Sequence, residues 1–239
     1  MNFITFNDFL NCVYVPSSEA NQRPSPDEVL EGLLAIYSGE APEMGTNENL
    51  ARNTLQGLKM IGAGVVKVVH RCKDARDSAC LDLNSCTLLH VPDGVLHLMK
   101  HYKVSSCDLS ENRISKISPR FGSCFTNITS LNLSCNCIST LPKDIVLCKK
   151  LKKVNISVNS FVAFPYHLLG IEGLTHIDAS KNFIADVDSN EIKTHEQLEE
   201  VNLCDNPITP SCHYHLRQLL QVTILLSDLK QEDWEDLSI

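Results

Sequence analysis

Three groups of residues in this chain have side chains that could do chemistry. The first is Ser157, His176 and Asp178. His176 and Asp178 alternate in an extended segment, so they share a face, as a base and its orienting carboxylate must. Catalysis needs nucleophile, base and orienter to converge beside oxyanion donors. No segment reads as an oxyanion loop or a lid, so an enzyme is not expected. The second group is thiols and imidazoles. Cys135 and Cys137 flank Asn136 with no second Cys or His pair at zinc-ligand spacing. Cys212 and His215, with His213 beside them, lie three apart on a helical stretch and could face one ion. Two ligands without a third do not make a structural zinc site, so no metal and no cofactor is expected. The third is Gly62-Ala63-Gly64. A phosphate loop needs a preceding strand and a following Lys-Ser/Thr, and both are missing here.

The elements that position these residues come from one repeated phrase. It reads Leu151, Val154, Ile156, Asn159, Phe161, Phe164 and Pro165. It returns as Leu174, Ile177, Ala179, Asn182, Ile184 and Val187, and earlier as Ile128, Leu131, Leu133, Asn136, Ile138, Leu141 and Pro142. This is the leucine-rich repeat pattern. The asparagine position holds Cys86, Asn112, Asn136, Asn159, Asn182 and Asn206, at spacings of 26, 24, 23, 23 and 24. The fold class that follows is an α/β solenoid of six repeats over 79–208, curved, with parallel strands on the concave side and irregular or helical segments on the convex side. Strands are expected at 106–110 and 130–134. Each asparagine turns the chain out of its strand and satisfies backbone groups the turn would bury unpaired. Cys86 substitutes for it less well. Pro92, Pro142 and Pro165 open the convex segments, and Pro119 lies just beyond the equivalent place. Leu141, Phe164, Leu147, Leu151, Leu168, Leu169 and Leu174 are expected to fill the core.

In a strand that alternates apolar and spacer residues, the spacers face out. Three columns are therefore expected on the concave surface. The first is Cys80, Ser106, Ser130, Lys153, His176 and Glu200. The second is Asp82, Asp108, Asn132, Asn155, Asp178 and Asn202. The third is Asn84, Ser110, Ser134, Ser157, Ser180 and Cys204. Small polar residues suit neighbouring strands about 4.8 Å apart whatever binds there. They also make a polar trough able to receive a partner's helix, loop or tail. The first column, with Lys153, His176 and Glu200, is the most varied and the best place for contacts. The expected function is a non-catalytic scaffold or adaptor whose partner is a protein; the alternative is a structural or assembly role, with self-association through the convex face or the 26–38 helix. No large aromatic stands in the three columns to act as an anchor.

A formal charge of −8 argues against sequence-independent binding to nucleic acid or anionic lipid. No membrane span and no small-molecule substrate are expected. The start, Met1-Asn2-Phe3-Ile4, lacks a basic region and reads as a poor signal peptide. The eleven cysteines include Cys107 and Cys86 at small or apolar core positions, where a free thiol packs as a hydrophobe. A reduced chain in the cytoplasm or nucleus is the expectation, and sequons such as Asn127-Ile128-Thr129 would then stay unmodified.

The flanks divide as follows. Residues 1–54 are an extension, with Ser25-Pro26-Asp27-Glu28 capping a short helix over 26–38. That helix reads either as a local element packed on the domain or as a docking peptide. Residues 55–78 carry the stripe Leu55, Leu58, Ile61, Val65, Val68, Val69 and Cys72 and are expected to be a helix covering the open first repeat. At the other end, 209–229 is expected to cap the array with a helix over 210–220 and a strand over 222–226. The acidic tail 230–239 contains Trp234; it is a solvated end or a peptide for a basic surface.

The stretch from Leu58 to Val69, then Cys80-Leu81-Asp82-Leu83-Asn84-Ser85-Cys86 and His90-Val91-Pro92, resembles the leucine-rich repeat-containing protein 20 branch of the superfamily. The resemblance covers about 57–239, and residues 1–56 have no counterpart in it. It implies a small intracellular repeat protein with no assigned catalytic residues.

Overall fold

The computed structural model describes residues 67–229. The helix expected over 26–38, the Gly62-Ala63-Gly64 segment, the apolar stripe before 67 and the tail 230–239 lie outside the described residues.

Each repeat contributes a strand of three residues: β1 Cys80–Asp82, β2 Ser106–Asp108, β3 Ser130–Asn132, β4 Lys153–Asn155, β5 His176–Asp178 and β6 Glu200–Asn202. A seventh, β7 Thr223–Leu225, follows the last repeat. The seven pair in sequence order, all parallel, as one sheet. The central residues Leu81, Cys107, Leu131, Val154, Ile177 and Val201 are all buried, so the spacer on each side points to the concave face. The strands are shorter than 106–110 and 130–134. Backbone pairing does run further, with Leu109 N donating to Asn132 O (2.8 Å) and Glu111 N to Ser134 O (3.0 Å). Strand geometry is lost because a side-chain carboxyl or carboxamide folds the backbone round. Asp108 Oδ1 accepts from Ser110 N at 2.8 Å, and Asn132 Oδ1 from Ser134 N at 3.1 Å.

The asparagines then close each turn. Asn159 Nδ2 donates to Leu133 O (2.9 Å), Ile156 O (3.1 Å) and Ser157 O (3.1 Å), and its Oδ1 accepts from Ile138 N (2.9 Å). Asn112, Asn136, Asn182 and Asn206 likewise donate to three carbonyls, one of them in the preceding repeat.

The residue before each of these positions adopts a left-handed conformation: Ser85, Glu111, Cys135, Val158, Lys181 and Asp205 have φ between 50 and 57°. Val158 (φ 54°) is the β-branched member of the set, and branching at Cβ makes this conformation costly. Its side chain is 41% exposed, so packing gives little back. Val158→Asn is expected to stabilise the chain by about 1 kcal/mol, since Asn tolerates the left-handed region. Urea unfolding reads this directly, and a lowered midpoint would refute the strain.

Repeat length selects the convex element. The spacing of 26 accommodates a seven-residue helix, Asp93–Met99 (α2; α1 is the helix described over 67–78). The spacings of 24 hold α3 Arg120–Cys124 and α4 Ser189–Lys193. The two spacings of 23 hold 3-10 turns, Lys143–Leu147 and Tyr166–Gly170. A 3-10 turn rises about 2.0 Å per residue against about 1.5 Å in an α-helix, so it crosses the convex side with fewer residues. Pro92, Pro119, Pro142 and Pro165 stand immediately before four of these elements. The tighter turn also corrects the expected core. Ile145 and Cys148 point inward at the three-residue period, leaving Leu147 38% exposed. Leu169 is partly buried beside the fully buried Leu168.

Both ends of the array are covered. Val68, Cys72 and Ala75 of α1 are buried against the first repeat. After β6, Thr209 caps α5, Pro210–Arg217, by accepting from Cys212 N. This helix stops three residues short of the expected 220. Leu219 still reaches the core, but the chain turns after Gln218 and leaves Leu220 96% exposed. Among the described residues, no helix is long and apolar enough to cross a membrane.

Candidate partner-binding face

The register places the first two columns as continuous rows across the sheet. Ser106 lies beside Ser130, then Lys153, His176 and Glu200. Asp108 lies beside Asn132, then Asn155, Asp178 and Asn202. Lys153 is exposed; the other nine are half-buried. Parallel strands hold these side chains at a near-constant spacing, so the face is a polar strip and not a pocket.

The third column departs from expectation. Ser110, Ser157 and Ser180 are buried, with 5 to 9% exposure, and do not line the trough. The turn after each strand tucks them under. Ser110 Oγ donates to Asp108 Oδ1 (2.6 Å), and Ser180 Oγ donates to Asp178 Oδ1 (2.7 Å). Cys204 is half-buried, and desolvation, with Asp205 nearby, pushes its thiol up.

The second column is first of all structural. In all six positions Oδ1 accepts from the backbone N–H two residues on: Asp82 to Asn84, Asp108 to Ser110, Asn132 to Ser134, Asn155 to Ser157, Asp178 to Ser180, Asn202 to Cys204. Asn132 Nδ2 also donates to Asp108 Oδ2 at 3.1 Å. The second polar atom of each side chain takes no part in that turn: Nδ2 of an asparagine is a donor, and Oδ2 of an aspartate is an acceptor.

The first column carries the variation. His176 Nδ1 lies 2.8 Å from Thr175 Oγ1, and its Nε2 lies 3.9 Å from Glu199 Oε2. Its contacts are thus neither Asp178 nor Ser157. Asp178 is occupied by Ser180, and Ser157 is buried, so the three candidates do not assemble as nucleophile, base and orienter.

The other candidate chemistry also separates. Cys212 is buried and its Sγ lies 3.2 Å from Val187 N, while His215 is exposed, so the two do not share a face. His213 Nε2 lies 3.1 Å from Ser227 O. Cys135 and Cys137 are both exposed at the turn. Cys86 and Cys107 are buried, as expected of small core residues. Desolvation raises the pKa of Cys72 and Cys148 to about 12 and lifts Cys107 as well, so these thiols stay protonated and apolar.

Two features were not read from the sequence. The first is Arg71 of α1. Its Nη1 donates to Asn84 O (2.7 Å) and Asp82 O (3.2 Å), meets Asp82 Oδ1 (2.9 Å) and lies 3.8 Å from Cys86 Sγ. A guanidinium from the capping helix thus supplies the donors that Cys86 lacks. The second is a run of charge on the edge where each chain segment enters its strand. Lys149, Lys150 and Lys152 are exposed in one repeat, and Glu196 and Glu199 are exposed two repeats on. The run Lys149 to Lys153 was visible, but its place on the edge needed the fold.

Comparison with known proteins agrees with this architecture. A leucine rich repeat family model matches residues 103–161. Tsukushi of Gallus gallus is 28% identical over 136 residues, 56% of this chain and 37% of its own length. Leucine-rich repeat serine/threonine-protein kinase 1 of Mus musculus is 29% identical over 115 residues, which is 45% of this chain and 6% of the kinase. The chain therefore spans little more than a third of Tsukushi and a small fraction of the kinase. Among solved structures, a TLR13–ssRNA13 complex aligns with a TM-score of 0.54 at 23% identity, covering 65% of this chain and 23% of that one; this likeness concerns the fold alone. Repeat period, parallel sheet and the family match over residues 103–161 together show a leucine-rich repeat solenoid.

Proposed function

We propose that the chain is a non-catalytic scaffold or adaptor that binds a protein segment along its concave face. One observation carries this reading. From β2 to β6 the first two columns form an unbroken strip of Ser, Asp, Asn, Lys, His and Glu along a parallel sheet, with Lys153 exposed and the others half-buried. Such a strip suits an extended or helical peptide with its own hydrogen-bonding groups. The family match to a repeat, and not to a catalytic domain, supports the same reading.

Three finer statements belong to this proposal. Within the superfamily, the chain sits near the leucine-rich repeat-containing protein 20 branch. The bound segment is protein and not nucleic acid; here the proposal rests on the acidic charge of the chain, since one structural relative is a complex with RNA. The protein works in the cytoplasm, in keeping with its many core thiols.

The test is a proximity-tagged capture with the full chain and with Lys153→Ala/His176→Ala/Glu200→Ala. The triple variant is expected to lose about tenfold or more in recovery of its partners, a loss of about 1.4 kcal/mol or more in binding. Recovery of every partner at the wild-type level would overturn the concave reading.

A further inference from the structure

The 163 described residues are neutral as a whole, but their charge is split along the solenoid. Residues 67–153 carry 14 Lys and Arg against seven Asp and Glu, and 154–229 carry three against ten. One half is +7 and the other −7. The division is sharpest on the edge that leads into the strands. Backbone bonds stack Lys152, Thr175 and Glu199 there: Thr175 N donates to Lys152 O (2.8 Å) and Glu199 N to Thr175 O (2.9 Å). One residue on, the sheet register aligns Lys153, His176 and Glu200. Four residues before each strand stand Lys149, Glu172 and Glu196. The sign thus reverses across β5 at the first two positions, while four residues before the strand it already reverses between β4 and β5, at Glu172. Among the described residues Lys149, Lys152, Lys153, Glu196 and Glu200 stand in no ion pair, while Glu199 lies 3.9 Å from His176 Nε2.

We infer that this edge binds a second copy of the chain, with two solenoids running antiparallel about a two-fold axis that passes beside the start of β5, perpendicular both to the strands and to the direction of stacking. Such an axis reverses the direction of the stack. It lays Lys149 and Lys152 of one copy against Glu196 and Glu199 of the other, and the same pairs recur on the far side of the axis. Lysine and glutamate rows lie two strands apart, about 10 Å, so both sets meet in one rigid contact. A two-fold interface must be self-complementary, and a strip whose sign reverses about its midpoint meets that condition. A purely acidic or basic partner would match half of the edge and be repelled by the rest. The contact is between exposed charges, so it weakens as the screening length falls from about 30 Å at 0.01 M salt to about 3 Å at 1 M.

Sedimentation velocity on the full chain tests this at about 0.02 M and about 0.5 M salt. The expected mass moves from near twice 26.6 kDa at low salt towards 26.6 kDa at high salt. Lys149→Glu/Lys152→Glu and Glu196→Lys/Glu199→Lys should each weaken association about tenfold or more. An equimolar mixture of the two should associate again, because the swapped charges then complement each other. Far-UV circular dichroism checks that both variants fold, and none of the four residues lies in the concave columns. A chain that stays at 26.6 kDa at low salt overturns the inference. That result is also the one expected if the acidic flank 1–66, with eight Asp and Glu against three Lys and Arg, neutralises the lysines within one chain. Association that both variants retain, or a mixture that fails to regain it, overturns it equally.

Discussion

An Asn159→Ala chain is expected to lose about 4 kcal/mol of unfolding free energy, because each buried polar group left unpaired costs about 1–3 kcal/mol. The carboxamide of Asn159 serves three carbonyls and one N–H, drawn from two successive repeats. Asn159 itself is buried, so water does not readily replace it. The four bonds act as one unit, since all depend on a single planar group held in place by the turn. Urea unfolding of the two chains measures the difference. A loss below about 1 kcal/mol would mean that the turn reorganises and re-pairs its backbone, and the ladder would then be less of a determinant than its geometry indicates. Because neighbouring repeats share each asparagine, the damage should propagate. Amide exchange in β3 and β4 should accelerate more than exchange in β1.

Gly122→Ala is the second large effect, and here the sign separates two arguments. Gly122 lies inside α3, where helix propensity alone makes alanine better by about 1 kcal/mol. The tertiary contact says the opposite. A Cβ at this position would stand 1.9 Å from the carbonyl oxygen of Asp144 and 2.8 Å from its carbonyl carbon. Both are backbone atoms of the next repeat's 3-10 turn, so no side chain can move aside. The two convex elements would have to separate, opening the core around Phe121, Ile145 and Cys148. A loss of about 3 kcal/mol is expected. Gly173→Ala is the control, since its added Cβ meets only Lys149 O at 3.9 Å and should be nearly neutral. A stabilised Gly122→Ala would show that the convex side is loose enough to yield.

The architecture was legible because a solenoid writes its long-range structure as local repetition. Each asparagine needs only its own turn and the turn of the repeat before, so a spacing of 23 to 26 residues already implies the parallel sheet. The first two columns could be named for the same reason: alternation along a strand and stacking across strands are both periodic. Periodicity stopped being enough where the strand ends. Ser110, Ser157 and Ser180 continue the alternation in sequence, but an Asx turn has already rotated the chain and buried them. Leu147 obeyed the apolar pattern and is half in solvent, because a 3-10 turn presents every third residue inward.

The sequence by itself thus determined the repeat, its period, the inward apolar positions and the polar strip, since all of these depend on neighbours a fixed distance along the chain. Only the tertiary structure decided the remainder. It brought Arg71 from the capping helix onto the turn that Cys86 leaves without a carboxamide. It set Gly122 against the backbone of Asp144. It lined up Lys152, Thr175 and Glu199 so that a run of lysines and a scatter of glutamates became one edge of reversing sign. The physical reasons differ. Arg71 comes from outside the array, at a separation that carries no period. Gly122 and Asp144, like Lys152, Thr175 and Glu199, stand about one repeat apart, but the period alone does not say how closely two convex segments approach or which residues one repeat leaves exposed on the edge of the next.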